Sequence, residues 1–266
     1  MNRERNPLLS LFAILVYILL FAPIVVLIVF SFNDSRRTFV WRGFTLDKWL
    51  NVCNVEGGAV CEAFANSIVI GLAATVIATT LGTAIAIALV RYRFRARSSI
   101  SLLLFLPMAT PEVVLGAGLA AQFLAVGVPK DMTTIILAHT MFCISFVVVT
   151  VKARVASLDP ALEEAGRDLY GSPSQVFWRV TFPLLLPGIM AAALLSFALS
   201  FDDFIITNFN SGSVSTFPKY IYISASRGIP AEANVIASAV FLFALVLVII
   251  AQVSRVARNK RLAKLS

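Results

Sequence analysis

Three acids stand where apolar residues are the rule: Glu112, Asp202 and Asp203. A carboxylate at mid-bilayer costs about 2.5–3.5 kcal/mol on insertion scales, so one that is retained there faces a cavity or a partner. Glu112 sits near the middle of a long apolar run, and no Lys or Arg lies in any such run to neutralise it. Asp202 and Asp203 close another run, where the alternative is a solvated helix end. Adjacent residues of a helix point about 100° apart, so one acid of the pair is expected to face a path. Such acids are acceptors for cations. His139, the only histidine, reads more readily as a hydrogen-bonded packing group than as a proton relay. No His, Cys and carboxylate cluster suits a metal, and no Gly-Lys-Ser or Gly-Lys-Thr phosphate loop is present. The chain is therefore expected to be no enzyme and to bind no cofactor itself.

The elements that must hold these acids follow from composition. Of 266 residues, 59% are hydrophobic and 14% charged, against about 45–50% and 25% in soluble domains. A water-soluble globular domain is excluded. About 20 apolar residues cross the hydrocarbon layer as a helix, and six runs are long enough: 8–32, 64–90, 99–127, 132–151, 181–204 and 233–254. Backbone in lipid must satisfy its own hydrogen bonds. The expectation is an all-α integral membrane protein, one domain over residues 1–266, with six transmembrane helices. The first run far exceeds a signal core of about 7–15 residues and is expected to be a retained span. Small residues at Ala74, Ala78, Gly82 and Ala86, and again at Gly116 and Ala120, mark faces that another helix backbone approaches.

The net charge of +8 is resolved by topology. With the N-terminus inside, 15 of the Lys and Arg residues fall in inner segments and 7 in outer ones, the asymmetry that orients membrane proteins. Both termini are expected in the cytoplasm, and no nucleic-acid partner is called for. Cys53 and Cys61 share the first outer loop, in CNVEGGAVC, where a disulfide and two free thiols remain alternatives.

The polar segment 152–182 lies inside. Asp159 and Pro160 read as N-cap and first residue of a helix of about 11 residues. Its apolar face is Leu162, Ala165 and Leu169, beside Glu163, Glu164, Arg167 and Asp168. Gly171 is placed to end it, and Ser172 with Pro173 to start another. Such a helix fits a groove on a partner or lies on the lipid surface.

The stretch LEEAGRDLYGSPSQVFWRVTFPLLLPGI resembles the EAA loop of permease subunits of ATP-binding-cassette importers. Glu164, Ala165 and Gly166 stand at Glu-Ala-Ala, with Gly166 replacing the second Ala, and Pro183 stands at the closing proline. Tyr170 occupies the usual Gly position and Gly171 follows, so the turn is expected one residue later. FAPIVVLIVFSFN, ALVRYRFRAR, AHTMFCISFVVVTVKARV, LSFALSFDDFIITNF and PAEANVIAS extend the resemblance to the spermidine/putrescine importer permeases, the second of the pair.

That resemblance implies a type I importer permease fold in the bacterial inner membrane. It implies a second permease subunit, an ATPase homodimer using ATP and Mg, an external polyamine-binding protein and a small cationic substrate. It makes Glu163, Glu164, Ala165, Gly166, Asp168, Leu169 and Gly171 the coupling contact with the ATPase. It makes Glu112, Asp202 and Asp203 the cation path, with Trp49 beside the outer loop as an aromatic contact. Two rivals stay open: an importer of another solute such as iron or thiamine, and a self-sufficient secondary transporter.

Overall fold

Apolar runs with no water to bond must close their hydrogen bonds internally, and the described residues accordingly form helices, with one antiparallel bridge between Asn33 and Phe44. The structure, a computed structural model, describes residues 7–35, 40–54, 58–225 and 231–262. Arg3, Arg5, Arg36, Arg37, Arg227 and Lys264 of the charge count, and Gly57 of the cysteine loop, lie outside the described residues. The helices are α1 (Pro7–Phe30), α2 (Asp47–Leu50), α3 (Ala59–Arg91), α4 (Arg97–Ala109), α5 (Glu112–Ala125), α6 (Met132–Ala156), α7 (Ala161–Asp168), α8 (Pro173–Val176), α9 (Phe182–Asp202), α10 (Ile205–Asn210), α11 (Phe217–Ala225) and α12 (Ala231–Leu262). A π-turn, Phe177–Thr181, joins α8 to α9. Five of the described helical stretches are long and apolar enough to cross a membrane, and six if the bent pair α4–α5 counts as one span.

Packing divides the chain, whose sequence reads as one membrane domain, into two compact units. The first is Met1–Cys61 with Ile223–Ser266. In it α12 packs against α1 and α2. Asn33 ties the turn after α1: Nδ2 donates to Val40 O at 2.7 Å and Oδ1 accepts from Arg42 N at 2.9 Å. Lys48 Nζ donates to Asn33 O at 2.8 Å and to Ser35 O. Burial lowers the pKa of that ammonium, against the pull of Glu232 and Asp34. Cys53 and Cys61 form a disulfide, their Cα atoms 5.4 Å apart.

The second unit is Glu62–Tyr222, with α6 at its centre and packed against α4, α9 and α10. Ala74, Ala78, Gly82 and Ala86 of α3 are all buried. A Cβ on Gly82 would lie 2.6 Å from Val147 Cγ1 of α6, so the absence of a side chain sets that approach. Gly116 and Ala120 of α5 are buried, and Ile206 Cα of α10 is 3.2 Å from where a Gly116 Cβ would stand.

Two spans depart from their expected outlines. The run 99–127 is not one helix but two, bent by 111° between Ala109 and Glu112. Pro111 has no N–H to continue α4 and forces Thr110 out of helical geometry, to ψ 133°. The polar connection is also shorter than 152–182. α6 continues to Ala156, and α8, the π-turn and α9 form one helical stretch from Pro173 to Asp202, opened by a capping box of Ser172 and Gln175.

Candidate functional site

Glu112 is not mid-helix. The bend places it in the first turn of α5, where unpaired backbone N–H groups favour an acid by about 0.3–1 kcal/mol. Asp202 ends α9, at the opposite and electrostatically unfavourable helix pole. The backbone then leaves helical geometry at Asp203, with ψ 123°. The 100° divergence expected for adjacent helical residues therefore does not apply, and both acids reach one cavity.

That cavity has a volume of about 490 Å³ and is lined by Glu112, Asp202, Asp203, Phe204 and Phe142 among others. The size suits a small organic ligand. Phe204 is held by Tyr222, their rings stacked with centroids 4.1 Å apart. An aromatic face adds about 0.5–2 kcal/mol to the hold on a cation. The structure thus brings together the three acids singled out from sequence. Trp49 belongs to the first unit, where its ring stacks on Phe32 at 5.2 Å and Phe32 stacks on Phe44 at 5.5 Å.

The three carboxylates differ in their surroundings. Glu112 and Asp202 are exposed. Asp203 is buried and caps α10, Oδ1 accepting from Ile206 N at 3.3 Å and Oδ2 from Thr207 N at 2.8 Å. His139 Nε2 lies 3.1 Å from the same Oδ2 and 3.0 Å from Thr207 Oγ1, while Nδ1 lies 2.7 Å from Ser200 Oγ. The tautomer with hydrogen on Nε2 satisfies both sides, Ser200 donating to Nδ1. His139 is thus the hydrogen-bonded packing group that its sequence suggests, while its partners Ser200 and Thr207 do not stand out in the sequence. Local signal existed only for Thr207, four residues after a capping Asp.

The polar connection builds a second constellation. Asp159 Oδ1 accepts from Ala161 N at 3.0 Å and starts α7. The helix stops at Asp168, shorter than the expected 11 residues, because Tyr170 takes the left-handed conformation at φ 60°. Tyr170 N donates to Arg167 O at 2.9 Å and Gly171 N to Gly166 O at 3.2 Å, the two bonds of a Schellman motif. The turn is therefore not displaced to Gly171. Gly171 serves close approach instead: a Cβ there would stand 2.6 Å from Gly166 O.

Of the residues expected to meet a partner, Glu164, Ala165, Asp168 and Leu169 are exposed, Leu169 by 83%. Tyr170 is 98% exposed beside it. Glu163 is turned inward, Oε1 3.0 Å from Arg91 Nη2 at the end of α3. Both line a cavity of about 430 Å³ with Arg167 and Phe177. Gly166 lies against Val176, 3.2 Å from the position of its missing Cβ.

The family described as "Binding-protein-dependent transport system inner membrane component" matches residues 78–264. The spermidine/putrescine transport system permease protein PotC of Haemophilus influenzae is 34% identical over 94% of this chain and 96% of its own. The putrescine transport system permease protein PotI of Escherichia coli is 34% identical over 88% of this chain and 85% of its own. Among solved structures, a bacterial ABC transporter involved in alginate import superposes with TM-score 0.65 at 16% identity, covering 96% of this chain and 98% of that one. The fold is that of type I ABC importer permeases, an all-α multi-pass membrane protein. The chain belongs to the family of inner-membrane components of binding-protein-dependent transport systems.

Proposed function

We propose that this chain is one permease subunit of an ATP-driven importer of polyamines of the spermidine/putrescine class. The observation that carries the reading is one cavity lined by Glu112, Asp202 and Asp203, in a chain similar along nearly all its length to polyamine permeases. Polyamines are flexible chains of ammonium groups, and a path for them needs spaced acceptors in a partly apolar wall. Glu112 and Asp202 supply open acceptors and Phe204 an aromatic face. Trp49 is a further aromatic contact on the same reading.

In this reading both termini are cytoplasmic, the chain sits in the bacterial inner membrane, and an external binding protein delivers the substrate. A second permease completes the path. ATP and Mg are used by an ATPase homodimer, with no cofactor held by this chain. α7, with Glu164, Ala165, Asp168 and Leu169 outward, seats in the ATPase. Closure of the ATPase carries α7 with it, and the spans reorient to release the cation inward.

The test is uptake of labelled spermidine and putrescine in a strain lacking its own system. Removing one charged acceptor costs about 1.5–3 kcal/mol, so Glu112→Gln is expected to lower uptake roughly ten- to hundredfold. Unchanged uptake in Glu112→Gln overturns the path, uptake of another solute alone overturns the substrate, and transport by this chain alone in liposomes overturns dependence on an ATPase.

A further inference from the structure

Three carboxylates share one cavity, and the chain treats them unequally. Among the described residues, Glu112 and Asp202 have no hydrogen-bond or ion-pair partner, and both side chains are exposed. Asp203 accepts from two backbone N–H groups of α10 and from His139 of α6. His139 is 1% exposed, so it does not itself reach a cation in the cavity. Its ring is oriented from the far side by Ser200, completing the chain Ser200–His139–Asp203 across α9, α6 and the start of α10. A third donor on Asp203 is more than the α10 cap needs, because the backbone N–H groups of Ile206 and Thr207 already hold it.

We propose that His139 is a positioning residue of the cation cavity: its Nε2–H holds Asp203 Oδ2 so that Asp203 is a fixed negative charge in the wall, while Glu112 and Asp202 are the movable carboxylates that take the ammonium groups. The inference rests on the polyamine reading above and adds to it a division of labour among the three acids. A fixed charge draws a cation in without closing around it, and two mobile carboxylates adapt to the spacing of its ammonium groups. If His139 merely joined α6 to α9, its loss would lower transport by the same factor whatever residue stood at 203.

The experiment uses the complete transporter in proteoliposomes, reading labelled putrescine and spermidine taken up per ATP hydrolysed. His139→Leu is expected to lower that ratio about tenfold, the effect of losing a charge-assisted hydrogen bond. His139→Gln, whose amide reaches Asp203, is expected to restore it to within about threefold of the parent. In the Asp203→Asn background His139→Leu is expected to have no further effect, the coupling a double-mutant cycle reports. If His139→Leu does not assemble, His139→Asn takes its place, its shorter amide retaining Ser200 and losing Asp203. A ratio unchanged by these variants, or lowered by the same factor in the Asp203→Asn background, overturns the proposal while the Glu112 dependence leaves the polyamine reading standing. A transporter that carries neither amine overturns both.

Discussion

Glu163 Oε1 lies 3.0 Å from Arg91 Nη2, tying α7 to the last residue of α3. Both side chains are largely sheltered, 18% and 20% exposed, so the pair is screened less than an open surface bridge. Glu163, assigned from sequence to the ATPase contact, is occupied within its own chain. Among the described residues, Glu164, Ala165, Asp168 and Leu169 remain exposed and free of such a pair.

Arg91→Glu places two acids in contact and is expected to lower uptake severalfold. The double variant Arg91→Glu with Glu163→Arg restores the attraction and is expected to recover at least half of it. Uptake in cells, normalised to the amount of protein in the membrane, checks both.

Gly171→Ala is expected to loosen the end of α7. The added Cβ meets Gly166 O at 2.6 Å, and overpacking of this kind costs about 1–3 kcal/mol. Tyr170→Gly removes the left-handed strain of a non-glycine residue, about 1–2 kcal/mol, which offsets the lost stiffness. Hydrogen exchange of the α7 amides is expected to speed up in the first variant and to stay unchanged or slow in the second.

The Cys53–Cys61 disulfide closes a short loop, eight residues in separation. The chain-entropy account assigns such a loop about 2–3 kcal/mol. Thiol labelling is expected to modify both cysteines only after reduction, and Cys53→Ser is expected to lower the melting temperature measured in detergent.

Lys219 Nζ donates to Ser211 Oγ at 2.6 Å, Gly212 O at 3.2 Å and Val214 O at 2.9 Å. Burial nevertheless lowers its pKa from the ordinary lysine value. A lowered lysine pKa means that the folded state binds its proton less tightly than the unfolded state. The resulting penalty is present in full below the folded pKa and is relieved as pH rises from there to the unfolded value of 10.5. Stability is expected to gain from this group over that alkaline window, and Lys219→Met is expected to flatten the gain in melting curves taken across it.

Hydropathy, charge asymmetry and the capping residues of α7 and α8 were legible in the sequence because each is a property of neighbours along the chain. A run of 20 apolar residues spans a bilayer whatever packs beside it. Asp159, Ser172 and Gln175 cap helices through atoms two or three residues away. The small-residue stripe of α3 was legible because it repeats every four positions. The bend at Pro111 was half legible: Pro107 and Pro111 both stand in the run, but prolines in a span signal only a kink, and the 111° turn, with α4 packed on α6 and α5 on α10, belongs to the tertiary structure.

The acids show where sequence stops. Glu112, Asp202 and Asp203 stood out by type and place, because a carboxylate in an apolar run is costly wherever the run packs. Which of them is free and which is held depends on His139, 64 residues from Asp203, and on α6 lying against α9 and α10. The same holds for Glu163, which only the meeting of α7 with the end of α3 pairs with Arg91. Local chemistry decided which residues are expensive to keep; the tertiary packing of helices decided their partners, because a hydrogen bond needs atoms about 3 Å apart and the chain brings such distant residues together only by folding.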